Sequence, residues 1–227
     1  NKTRHNEFVI ADALAKKTDV VVWGGGIQSN NCRQTTASCA KFGLPIHLVL
    51  SGDPESDLQG NPLLDHLLGA SIEIVDHPIA TIDQLAKQRA DEYNERGLNS
   101  YCWDKTVVKP LAAVSYVLVL AEILEQLGEY DLAPKEIYGC SAGSTGSGLE
   151  AAKAKLGLDV PIHHLCPIRW PWDVPADMAH IANAASDLLG WNTNIEGSQI
   201  HACEDFVGPD YGVCTPECLE AIQLLAR

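Results

Sequence analysis

Short β-rich runs alternate with helical patterns along almost the whole chain, and this alternation constrains the fold more than any other feature. Phe8–Leu14 reads as a helix and Val20–Trp23 as a strand. A helix over Asn31–Phe42 leads to a strand at Ile46–Leu50, and a helix over Pro62–Leu68 to a strand at Ile72–Val75. Long helices follow at Ile82–Glu95 and Leu111–Leu127. Then come a strand at Ile137–Gly139, a helix at Gly148–Leu156, a strand near Ile162–Leu165 and a helix at Ala176–Leu189. Such an order predicts an α/β protein with open parallel sheets and helices on both faces. Trp170-Pro171-Trp172-Asp173-Val174-Pro175 interrupts it as a stiff loop whose two tryptophans are expected to be exposed.

Composition narrows the classes of function. A hydrophobic fraction of 46% and a charged fraction of 20% exclude disorder. The net charge is −14, and Lys and Arg form no cluster, so a nucleic-acid partner is not expected. For a membrane span the strongest candidate is Val114–Ile123, interrupted by Tyr116 and Glu122, and no span is expected. Most of the eight cysteines sit in apolar or helical patterns, as free thiols do. Cys214 and Cys218 form a C-x3-C pair without further ligands at zinc spacing, so no metal is expected. A reducing, cytoplasmic setting follows from this usage. The chain begins at Asn1 and stops at Arg227 inside a helical pattern, which reads as truncation at both ends.

Two glycine-rich segments carry candidate chemistry. After the strand at Val20–Trp23, Gly24-Gly25-Gly26 permits a tight turn and close approach of backbone. Ser29 and Asn30 are N-cap residue types ahead of a helix, whose exposed N–H groups favour a carboxylate. Ser29 is also a possible nucleophile or proton shuttle, though a plain N-cap serine and a turn asparagine would look the same. Lys2 lies ahead of this unit; an amine at a strand end suits a Schiff base with an aldehyde cofactor. The second segment, Tyr138 to Leu149, places four glycines among hydroxyl residues between a strand and a helix. It predicts an anion nest, and the absence of GxxxxGK[ST] or GxGxxG spacing points to a phosphate monoester rather than a nucleotide.

Taken together the segments resemble the fold-type II pyridoxal phosphate enzymes (tryptophan synthase beta-like). More narrowly, they resemble the D-cysteine desulfhydrase and 1-aminocyclopropane-1-carboxylate deaminase family. The stretches that carry the resemblance are Asn1–Arg4, Gly26–Asn30 with Arg33-Gln34, Gly60–Leu64 and Leu68–Ala70. Ala142–Thr145 with Gly148, Val207–Gly212 and Glu220–Ile222 complete the set. The resemblance implies that Lys2 is the Schiff-base lysine and that Asn30 bonds the cofactor's phenolic oxygen. It implies that Ala142, Gly143, Ser144 and Thr145 cradle the phosphate, and that Ser29 and Tyr211 are catalytic at the substrate face. Gln28, with Ser29, Asn30 and Tyr211, is implied to bind substrate, and Asn1 to line the same pocket.

The implied layout is two-lobed: residues 1–25 begin a large lobe, 26–130 are mainly a small lobe, and 131–227 return to the large lobe. The implied reaction degrades a small amino acid to a 2-oxo acid and ammonia in a homodimer. D-cysteine is the preferred substrate because Gly25–Thr35 looks nearer that branch. The cyclopropane acid is the alternative, and a cofactor-binding protein without turnover a further one. The chain departs from the pattern at Trp103–Lys109, which replaces a glycine-rich stretch. The family's second tyrosine and the residue facing the pyridine nitrogen would fall beyond Arg227.

Overall fold

A computed structural model describes residues 2–104, 106–209 and 213–227. Seven strands form two parallel sheets. The first contains β1 (Val20–Gly26), β2 (Ile46–Ser51), β3 (Ser71–Val75) and β4 (Ser100–Cys102) in the order β3-β2-β1-β4. The second contains β5 (Ile137–Cys140), β6 (Ile162–Leu165) and β7 (His201–Cys203) in chain order. Helices link the strands: α1 (Lys2–Ala15), α2 (Asn30–Phe42), α3 (Asn61–Leu67), α4 (Ile82–Glu95), α5 (Val108–Gly128), α6 (Ser144–Leu156), α7 (Val174–Leu188) and α8 (Pro216–Leu225).

Side-chain alternation along β1 accounts for a sheet covered twice. Val21 and Trp23 join Val9, Ile10 and Ala13 of α1, Cys32 and Cys39 of α2, and Ala112 of α5 on one face. Val20 and Val22 point the other way, onto Ala86 and Ala90 of α4. In the second sheet, Ile162 packs with Leu149 and Ala152 of α6, Met178 of α7 and Leu120 of α5. Its other face carries Tyr138, His163 and His201 side by side across the three strands, with both outer residues exposed.

One expectation shifts. The glycines Gly24 to Gly26 do not form the turn; they continue β1 and pair with Val49, Leu50 and Ser51 of β2. Close packing explains why: a Cβ on Gly25 would meet Ser29 Oγ and Cys32 Sγ, each at 2.8 Å, and one on Gly24 would meet Ile82 Cγ2 at 2.7 Å. Residue 25 lies within β1, and α5 packs on α6 and α7. Finally, α5 has the length and composition of a membrane span. It is the core helix of the molecule, packed against α1, α6 and α7, and such a position requires an apolar helix.

Candidate active site

Parallel strands deliver their C-terminal ends, and the N-termini of the helices that follow, to one side of a sheet. Here both sheets deliver them to the same cavity, of about 440 Å³. Its walls include Gly24–Gly26 at the end of β1, Trp103 just past β4, Cys140 closing β5, and Pro167 and Ile168 just past β6. The first turns of α1, α2, α4, α5 and α6 supply Lys2, Asn30, Asp83, Lys109 and Ser144. Converging helix N-termini favour an anion, and two different anionic groups of one ligand can each find a terminus.

The amine and the anion cradle line the same cavity, and α1 touches the cradle through His5 and Thr145. Burial lowers the pKa of Lys2, partly offset by nearby Cys140, which favours the uncharged amine that a Schiff base requires. One turn along α1, His5 is 2% exposed. Burial, and then the charge of Lys2, push its pKa down to about 3, so its ring is neutral at ordinary pH. His5 Nε2 lies 3.3 Å from Thr145 Oγ1, and its ring meets Tyr116 edge-on at 5.1 Å. Arg4 adds a two-pronged ion pair to Glu122 of α5, at 2.8 and 2.6 Å, which fixes the helix that carries Lys2.

In the cradle, Gly143 caps α6 without a side chain. Ser141 Oγ takes the N–H of Gly146 at 2.8 Å, while the earlier N–H groups of the turn have no acceptor within the helix. Ser144 is 6% exposed, and its Oγ has no partner among the described residues. A buried orphan hydroxyl beside open backbone N–H groups fits a phosphate. Thr145 turns its hydroxyl to His5, so its N–H is the group left for the anion.

At the end of β1, Ser29 caps α2 by accepting the Cys32 N–H at 3.1 Å, and it lines the cavity. Asn30 Oδ1 accepts from Asn61 Nδ2 at 3.2 Å, which leaves its own Nδ2 as the donor toward the cavity. Gln28, expected at the substrate face, turns away from it. Its side chain donates to Gln59 O and accepts the Asn61 N–H, both at 3.0 Å, and so holds α3 against the turn. Lys2, Ser29, Asn30 and the 142–145 run all line the cavity, whereas Tyr211 and Asn1 lie outside the described residues.

Several wall residues were not singled out from sequence. His5 had one readable signal, its i,i+3 spacing from Lys2 on a helix. Trp170 and Trp172, expected to be exposed, stack at 4.6 Å and line the cavity half-buried. In the Trp103–Lys109 departure, Trp103 packs on Trp23 at 4.9 Å and Lys109 Nζ pairs with Asp83 at 2.9 Å.

Two parallel sheets that share a cavity lined by a buried amine of lowered pKa and a phosphate cradle define an α/β enzyme for a phosphorylated aldehyde cofactor. The family model for pyridoxal-phosphate dependent enzymes matches residues 1–227, and the chain belongs to that family. All of it aligns with 70% of a 1-aminocyclopropane-1-carboxylate deaminase of Rhizobium rhizogenes at 30% identity. It also aligns in full with 69% of a D-cysteine desulfhydrase of Salmonella paratyphi C at 29% identity. Among solved structures, a crystal structure of an ACC deaminase homologue superimposes on 99% of the chain with a TM-score of 0.84 and 25% identity, covering 67% of that protein.

Proposed function

We propose that this chain uses pyridoxal phosphate to convert a small amino acid into a 2-oxo acid and ammonia, with D-cysteine as the preferred substrate. The observation that carries the reading is that Lys2, with its lowered pKa, lines one cavity with the orphan Ser144 hydroxyl. When bound, pyridoxal phosphate supplies an electron sink for charge developing at the substrate's α-carbon. Lys2 Nζ would be its attachment point and, as a free amine, would serve as base toward an α-proton. Ser144 Oγ and the first N–H groups of α6 would hold the phosphate, and Asn30 Nδ2 would be the donor for the ring oxygen. The N-terminus of α2 orients the substrate carboxylate. Ser29 Oγ, held by the Cys32 N–H, is the proton shuttle, with Tyr211 as its companion from the sequence pattern. Trp170 and Trp172 keep water from that face.

The Gly25–Thr35 run supports D-cysteine, which would yield pyruvate, sulfide and ammonia. Deaminase relatives at 29–30% identity, against 29% for the desulfhydrase, support the cyclopropane acid as the second reading, with 2-oxobutyrate as its product. The test is to load the purified chain with pyridoxal phosphate and follow its visible absorbance band. The band is expected in the wild-type chain and lost in Lys2→Ala, and its absence from the wild-type chain would overturn the reading. Assays for pyruvate with sulfide, and for 2-oxobutyrate, then separate the substrates; neither product would refute turnover. The resemblance also supports a homodimer, which sedimentation of the same sample checks.

A further inference from the structure

The end of the chain carries a thiol pair that the candidate site does not use. Thr215 caps α8 by accepting the Cys218 N–H at 3.2 Å. Cys214 therefore sits immediately before the cap, with its thiol donating to Thr215 O at 3.6 Å, and Cys218 sits in the first turn, near enough to raise the pKa of Cys214. Both thiols are free and exposed.

The other cysteines lack this arrangement. Cys32, Cys39 and Cys166 are buried. Cys140 and Cys203 both pair with Leu165, from opposite sides of β6. Two strand spacings put their Cα atoms roughly 10 Å apart, beyond the ~7 Å that a disulfide can bridge.

We propose that Cys214 and Cys218 form a site of reversible disulfide formation whose oxidant is a small-molecule disulfide. One cysteine thiolate attacks a sulfur of the oxidant, releases the first small thiol and is left as a mixed disulfide. The second thiolate attacks the protein-side sulfur, closes the Cys214–Cys218 bond and releases the second thiol. Two electrons pass to the oxidant, and the two cysteine protons end on the two released thiols. Closure is intramolecular, so it outruns attack by a further small thiol. The turn lies close to Gly208, where a Cβ would be 3.0 Å from Thr215 Cγ2.

The full chain, treated with oxidised glutathione, blocked with an alkylating agent and cleaved before Asp210, yields residues 210–227 with these two cysteines alone. The expected product has lost two hydrogens, carries neither alkyl group nor glutathione, and is restored by dithiothreitol. Cys214→Ser should retain glutathione on Cys218 at a level at least about tenfold above wild type, because nothing resolves the mixed disulfide. Glutathione retained on either cysteine of the wild-type chain would overturn the proposal. So would both cysteines staying alkylatable, or a bond between two chains.

Discussion

Asp65 lies on α3 with 1% of its surface exposed, facing Thr36 and Arg33 of α2. Burial raises its pKa to about 6, and those two neighbours only partly oppose the rise. An unfolded Asp titrates near ~3.9, so between these values the fold holds a proton that the unfolded chain has released. Asp65 therefore contributes most to stability below about pH 4, and that contribution is lost as pH rises through 6. His5 acts in the opposite sense: its depressed pKa costs stability as pH falls below about 6.5. Asp65→Asn should gain about 1–2 kcal/mol at pH 7 and little at pH 4, measured as urea midpoints across that range. An identical pH dependence in both proteins would refute the assignment. Ser144→Ala should weaken pyridoxal phosphate binding about tenfold, seen by titrating the visible band. Unchanged affinity would remove Ser144 from the cradle.

At the scale of elements, α5 and α6 cross so closely that a Cβ on Gly148 would lie 2.1 Å from the carbonyl oxygen of Ala113. Gly148→Ala should cost about 2–3 kcal/mol, read from a chemical denaturation midpoint, and a loss below experimental error would show that the helices slide apart freely. Gly148 was legible as part of a phosphate loop, but its own role is packing, and a one-dimensional pattern cannot tell the two apart. The same holds for Gly24 and Gly25, read as a turn and found in a strand. The α6 helix starts at Ser144 rather than Gly148, because the Ser/Thr/Gly run has weak helix propensity and is stabilised by its neighbours. The strands β4 and β7 escaped notice because three residues hold no periodicity. Lys2, Ser29, Asn30 and the 142–145 run were readable because each sits next to a strand end or a helix start. Trp103 and the Trp170–Trp172 stack reach the cavity through tertiary packing alone.

For the whole molecule, the candidate site draws on both sheets, with Ser29 and Asn30 after the first and the 142–145 run after the second. A ligand that touches both should stabilise the fold as one unit. Pyridoxal phosphate at a hundredfold its dissociation constant should add about 2.7 kcal/mol. A thermal-shift titration measures this, and two separate transitions with only one moved by ligand would contradict it. The helix α5 has a consequence of a different kind. During synthesis it leaves the ribosome some 60 residues before α7 is complete, an interval of roughly 3–12 seconds. For that time the nascent chain displays a greasy segment of transmembrane length that still lacks the cover of α7. Chaperone capture at this stage, or diversion by membrane-targeting factors, is therefore a hazard written into the order in which the core is made.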